Sequence, residues 1–210
     1  MSNAAFPFGH AREIVVAGVA CRALRVTYVG ELGWELHAPI DRLGDLYDAL
    51  MAADPALRPV GYRALESLRL EKAYRAWSSD ITPNDTPFEA GLGWAVKLTS
   101  NLPFLGRAAL ERAGPLTKRL AGFTVADPGA VLVGRETILR DGVPVGYLTS
   151  GGYGYSVGHS IGLGYVRHPD GVTDAWLAAG RYDLVIAGDV TPAGLTMHPV
   201  LDPQGLRIRC

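Results

Sequence analysis

From Leu24 to Tyr28 apolar and polar side chains alternate, with Leu24, Val26 and Tyr28 set against Arg25 and Thr27. That is the period of a strand with two unlike faces. "EIVVAG" before it, a turn near Gly18 and "GWELH" after it extend the pattern to three strands. In "DRLGDLYDALMAA" the period lengthens: Leu43, Leu46, Tyr47 and Leu50 recur at helical spacing behind an expected Asp41 cap. A turn at Pro55 and Pro59 leads to "YRALESLRLEKAYRAW", helical again, with Leu65 and Leu68 on one side. Its charges, Glu71 and Arg75 at i, i+4 among them, read as a salt-bridged solvent face. "SSDITPNDTP" is a loop by composition, a short strand is expected around Trp94–Leu98, and "PFLGRAALERAG" reads as a helix closed by Gly114 and Pro115.

After Lys118 the pattern becomes one of short β-prone runs between turn residues: "RLAGFTV", "ETILRDGVPVGYLTS", "SIGLGYV", "AWLAAG", "YDLVIAGDV" and "TPAGLTMHPV". Asp141-Gly142 is a hairpin signal, and no helix is expected in this part. The fold class is therefore α+β: a mixed α/β part over residues 6–117, then a small antiparallel β barrel over 118–208.

Composition narrows the function. The 210 residues are 48% hydrophobic and 20% charged, ordinary for a globular protein, and 26 glycines with 14 prolines favour turns over a helical bundle. A net charge of −1 argues against nucleic acid, and no apolar run is long enough to cross a membrane. "MSNAAFPF" lacks a signal-peptide pattern, and Cys21 and Cys210 suggest neither a disulfide framework nor a zinc site, so the expected compartment is the cytoplasm. The histidines (His10, His37, His159, His168, His198) have no paired ligand spacing, so no metal is expected.

Candidate chemistry centres on "TYVGELGWELH". If Glu31-Leu32 formed a two-residue hairpin loop, Tyr28 and Glu35 would be direct cross-strand neighbours on one face. A phenol beside a carboxylate can hold a planar ring with adjacent N–H donors, although Glu-Leu is not a favoured turn pair and a solvated surface turn fits as well. "GHSIG" fits G-x-S-x-G, with Asp189 and His198 downstream, but "LGYV" follows it where a nucleophile elbow needs a helix. The glycines of "GGYGYSVG" miss the dinucleotide and phosphate-loop spacings and suit close-packed turns.

Taken in order, "RVTYVGELGWELH", "GYRALESLRLEKAYRAWSSDITPNDTPFEAGLGWAVKL", "FLGRAAL", "YLTSGGYGYSVGHSIGLGYV" and "VIAGDVTPAGLTMHPVLDPQGLRIR" resemble the glycine-cleavage T-protein (aminomethyltransferase) superfamily. They look closest to the C-terminal folate-binding part of dimethylglycine and sarcosine dehydrogenases, since "GELGWEL" and "LRLEKAYR" stand where T-proteins read more like GEDG and LRLEAG. The resemblance covers about residues 6–208. It implies a T-protein-like folate-binding domain, present in its C-terminal part, followed by a small barrel. It implies tetrahydrofolate as cofactor, with FAD only on a separate or missing upstream domain. The partners implied are an N-methylated amino acid or another aminomethyl donor, and a flavin-domain or missing-half chain. The reaction implied is capture by folate N5 of the one-carbon unit released when the methylated amine is oxidised. By position, Tyr28 and Glu35 would hold the pterin and Tyr74 would be a second contact. Arg69 lies in the same helix motif, and Trp94 and Arg207 fall near the folate tail or the domain junction. Glu31 would belong to the turn. A T-protein arginine falls on Leu65, and no residue maps to the family's aspartate near the reacting nitrogen, so no catalytic residue is assigned. The alternative is a non-catalytic folate-binding or assembly subunit.

Overall fold

The computed structural model describes residues 3–209; Cys210 lies outside them. Strands β1 (Ala11–Val16), β2 (Val19–Leu24) and β3 (Glu35–His37) form a small antiparallel sheet in that order. Ala17 and Gly18 both have positive φ, the mark of the primed two-residue turn whose twist suits a hairpin. Asp141-Gly142 and Ala187-Gly188 repeat this chemistry in the second half of the chain.

The second hairpin differs from expectation. β2 pairs with β3 through Leu24↔Glu35, Ala23↔Leu36 and Arg22↔His37. Glu31-Leu32 is thus not a two-residue turn, and Tyr28 is not the neighbour of Glu35. Residues 25–34 form a wide loop instead, as turn chemistry favours: Glu-Leu is unsuited to positive φ, whereas Thr27 Oγ1 accepts bonds from the amides of Val29 and Gly30.

Helix α1 (Leu43–Ala53) follows a single 3-10 turn, Ile40–Arg42, and no side chain caps it. Of its four periodic apolar residues only Leu46 is buried, against Val19 and Cys21 of β2. Helix α2 (Tyr62–Glu71) stops short of Trp77, because Ala73 turns left-handed at φ 51. Its buried residues are Ser67, Arg69, Leu70 and Glu71, so the charges expected in solvent point inward. Glu71 is fully buried and its Oε1 accepts the Ser156 amide at 2.6 Å, which replaces the expected pair with Arg75. Trp94 sits on a 3-10 turn, Gly93–Ala95, rather than a strand, and helix α3 (Arg107–Glu111) ends before Gly114.

The remainder is a closed six-stranded barrel in the order β4-β7-β6-β5-β8-β9, built from β4 (Lys118–Val125), β5 (Thr137–Arg140), β6 (Val143–Gly154), β7 (His159–Arg167), β8 (Tyr182–Ile186) and β9 (Asp189–Thr196). Phe123, Val125, Ile138, Leu148, Val166 and Leu184 fill it, with Phe123 edge-on to Tyr182. A helix not expected there, α4 (Asp174–Ala179), is started by Thr173, whose hydroxyl accepts the Trp176 amide at 3.1 Å. Of the glycines of "GGYGYSVG", expected to form close-packed turns, Gly151, Gly152 and Gly154 are close-packed but lie within β6, and Gly158, with positive φ, has open space beside it.

Helix α2 lies against β6 and β7, and Leu70 packs on Leu120, Ile161, Leu163 and Tyr165. Around that apolar contact the seam is polar: Ser67 donates to the Tyr153 carbonyl, Arg69 to Ser150 Oγ, and Thr149 Oγ1 to Asp80. This seam holds the end of α2 against the barrel.

Candidate functional site

Directly after α2, the left-handed Ala73 swings Tyr74 and Arg75 out of the helical path and into a cavity of about 620 Å³. Tyr28, on the wide loop, stacks on Tyr74 with ring centroids 6.1 Å apart and planes 19° from parallel. The Tyr28 hydroxyl donates to the Arg75 carbonyl at 3.1 Å. Trp94 stands at the mouth, largely exposed, and Met197, His198 and Pro199 also line the cavity.

Burial pushes both phenols above their ordinary pKa. At Tyr28 the Arg69 charge opposes this and Glu66 adds to it; at Tyr74 Asp202 adds to it. Both rings therefore stay neutral at physiological pH, as faces for stacking with a polar tip.

Arg69 stands behind this wall rather than in it. Its Nε and Nη2 donate to Glu66 Oε2, its Nη1 to Asp80 Oδ2 and the Tyr74 carbonyl, and its Nη2 also to Ser150 Oγ. A guanidinium has five N–H donors, and all five are engaged. Burial would lower its pKa, but the Asp80 and Glu66 carboxylates outweigh that and hold it above the usual value. Arg69 thus fixes the backbone of Tyr74 and has no hydrogen to offer a ligand.

Arg207 binds Glu31 at 2.8 Å and so ties the wide loop to the C-terminal 3-10 turn, Arg207–Arg209. Glu31 pairs with a side chain across the molecule instead of acting only within its turn. Glu35 is half-exposed, with its carboxylate 3.5 Å from His37 Nε2, and it does not line the cavity. The structure therefore brings together Tyr28, Tyr74 and Trp94, and sets Glu35, Arg69 and Arg207 apart from them.

Lys72 and Arg75 are wall residues that sequence reasoning missed. Lys72 donates to Asp202, and Arg75 donates only to the carbonyls of Ala73, Ala90 and Gly91. Their positions inside "LRLEKAYR" were visible, but the helical period assigned them to solvent. Nor is there a nucleophile elbow: Ser160 lies within β7, buried, with its hydroxyl on the Ala130 carbonyl. A pair of neutral phenols, a tryptophan and a guanidinium that has no ion-pair partner among the described residues suit a planar aromatic ligand that carries negative charge.

Two family models match the chain. One is described as "GCVT N-terminal domain" over residues 1–100, the other as "Glycine cleavage T-protein C-terminal barrel domain" over residues 118–202. Human mitochondrial sarcosine dehydrogenase is 40% identical across 100% of this chain, which spans 23% of that relative's length. An aminomethyltransferase of Desulforamulus reducens is 36% identical over 73% of the chain and 43% of its own length. Among solved structures, the glycine cleavage system aminomethyltransferase T of Bartonella henselae superposes with a TM-score of 0.77 at 25% identity, over 93% of this chain and 53% of that one.

Proposed function

As the chain belongs to the glycine-cleavage T-protein (aminomethyltransferase) superfamily, we propose that it is a tetrahydrofolate-binding, one-carbon-transfer module of the kind found in sarcosine and dimethylglycine dehydrogenases. The observation that carries this reading is the stacked pair Tyr28 and Tyr74 in the wall of an aromatic cavity, with Trp94 at its mouth. The pair offers a ring-sized apolar face, and Trp94 can close over the ring's other side. When bound, tetrahydrofolate supplies the nitrogen that takes up the one-carbon unit. The protein's work is to orient that ring and keep water from the reactive carbon. Arg69 acts on this indirectly by holding the Tyr74 carbonyl. The donor in this reading is an N-methylated amino acid, oxidised at a flavin carried by another domain or chain.

Calorimetric titration with 5-formyl-tetrahydrofolate tests it. The wild type binds, and Tyr74→Ala weakens binding by about 0.5–1.5 kcal/mol through loss of stacking. Glu35→Gln, in the register observed, binds as the wild type does. A loss of about 1.5–3 kcal/mol in that variant would instead return the carboxylate to the ring's N–H edge, where the resemblance puts it. Absence of binding by the wild type would refute the reading.

A further inference from the structure

The rings of Tyr28 and Tyr74 are carried by two separate stretches of chain, the wide loop 25–34 and the residues just past α2. A third segment, residues 201–207, is bonded to both. Toward α2, the Leu201 amide donates to the Glu71 carbonyl at 3.1 Å. Lys72 Nζ donates to the Asp202 carbonyl at 2.6 Å and to Asp202 Oδ2 at 3.1 Å. Toward the loop, Arg207 Nη1 donates to Glu31 Oε1 at 2.8 Å. Asp202 ties these contacts together: its Oδ1 accepts the Leu206 amide at 2.9 Å and its Oδ2 the Arg207 amide at 3.1 Å. Its backbone is left-handed, at φ 43, a conformation that local side-chain bonds let an aspartate adopt.

Lys72 also meets the loop directly. Its side chain is 3% exposed, and its stem fills the space where Gly30 would carry a Cβ. Gly30 has φ 76, so glycine is needed there both for its backbone and for the room it leaves. The loop backbone thus lies on a lysine whose charged end Asp202 holds, and Tyr74 stands two residues farther along the chain from that lysine. The Asp202 charge is felt at the Tyr74 phenol, whose pKa it helps to raise.

We propose that Lys72 and Asp202 are positioning residues of the ring site, forming with Gly30 and the Glu31–Arg207 bond a clasp that sets the spacing and tilt of the Tyr28 and Tyr74 rings. A buried ion pair adds little net stability, because desolvation offsets its attraction, so its use here is geometric. The ligand meets the aromatic faces, and the clasp acts through them. The effect on ligand rests on the folate reading above; the effect on the stack does not.

Two readouts on the full chain test this. The stack is read without ligand, as the part of the near-ultraviolet circular dichroism that Tyr74→Ala removes. Ring affinity is read by calorimetry with 6-methyltetrahydropterin. Arg207→Glu, at a half-exposed site, lowers the stack signal and weakens binding by about threefold. The exchanged pair Glu31→Arg with Arg207→Glu restores both. Lys72→Met combined with Asp202→Asn removes both buried charges together, loses most of the stack signal and weakens binding by about three- to tenfold. Leu46→Ala, a destabilising change outside the clasp, leaves the stack signal as it is. The proposal is overturned if Arg207→Glu keeps the full signal, if the exchanged pair does not restore it, or if Leu46→Ala lowers it equally. A lost signal with unchanged affinity would equally overturn the positioning of ligand. Should the wild type not bind, the folate reading falls, and the clasp stands or falls on the stack signal alone. The surface exchange keeps the test decisive if the Lys72 and Asp202 double variant does not fold.

Discussion

Arg69 and Asp80 meet out of water, with the partly exposed Glu66 beside them. Asp80 is 1% exposed, and its carboxylate joins Arg69, the Ala76 amide and the Thr149 hydroxyl. Such a cluster is weak evidence of added stability, because desolvation offsets most of the attraction, but breaking it on one side strands a buried charge. Asp80→Ala is therefore expected to cost about 3–5 kcal/mol in urea unfolding, far more than a surface ion pair. The exposed pair Arg22–Glu13 gives the contrast: Glu13→Ala should change stability by less than about 1 kcal/mol. The Asp80 variant should also loosen Tyr74, since Arg69 loses the acid that aims it.

At the scale of elements, helix α1 shows what periodicity can and cannot say. The spacing of Leu43, Leu46, Tyr47 and Leu50 correctly announces a helix, yet Tyr47 is 54% exposed and only Leu46 meets the sheet. Leu46→Ala should cost about 2–4 kcal/mol in thermal or urea unfolding, and Tyr47→Ser less than about 0.5 kcal/mol. If the two cost the same, the helix packs by a different face. The turn near Gly18 and the Asp141-Gly142 hairpin were legible because glycine marks a left-handed turn position, whereas the Ala187-Gly188 hairpin lay inside a run read as one β-prone segment. Helix α4 was not, since "AWLAAG" is too short for its period to be read and its cap, Thr173, lay outside the run considered. The inward charges of α2 were misread for a related reason. A helical period marks which residues share a face, but the partners that make a buried Arg69 or Glu71 tolerable come from Asp80, Ser150 and Ser156, remote in sequence. The same distance hid the geometry of the site: the resemblance put Tyr28 and Tyr74 on one ligand, while their stacking, and the Arg75 guanidinium beside them, depend on the left-handed Ala73.

Across the whole molecule, buried tyrosines set an alkaline limit. Desolvation raises the pKa of Tyr28, Tyr74, Tyr165 and Tyr182 above the ordinary 10.0. Above that pH the unfolded chain gives up these protons while the native protein keeps them, so the native state binds more protons and stability falls as pH rises. The loss is absent below about pH 9 and grows from about pH 10 upward, readable as a falling urea midpoint. Tyr165 should dominate it, being almost fully buried with a hydroxyl that has no hydrogen-bond partner among the described residues and feels the nearby Asp85 and Glu89 charges. Tyr165→Phe should accordingly leave the midpoint at pH 7 unchanged or slightly higher and flatten its fall above pH 10. An unaltered alkaline slope would mean another group sets it.

The bond between Arg207 and Glu31 joins residues 176 positions apart, and Met197, His198 and Pro199 share a cavity with Tyr28. During synthesis at roughly 5–20 residues per second, Tyr28 therefore waits roughly 10–35 s on the ribosome before the last of its cavity lining is made. A nascent chain holding the sheet, α2 and most of the barrel still lacks a closed site. A ligand in that cavity can therefore stabilise the fold only once residues 197–199 have been made, so it can protect the folded structure but cannot guide the chain while these residues are still to come.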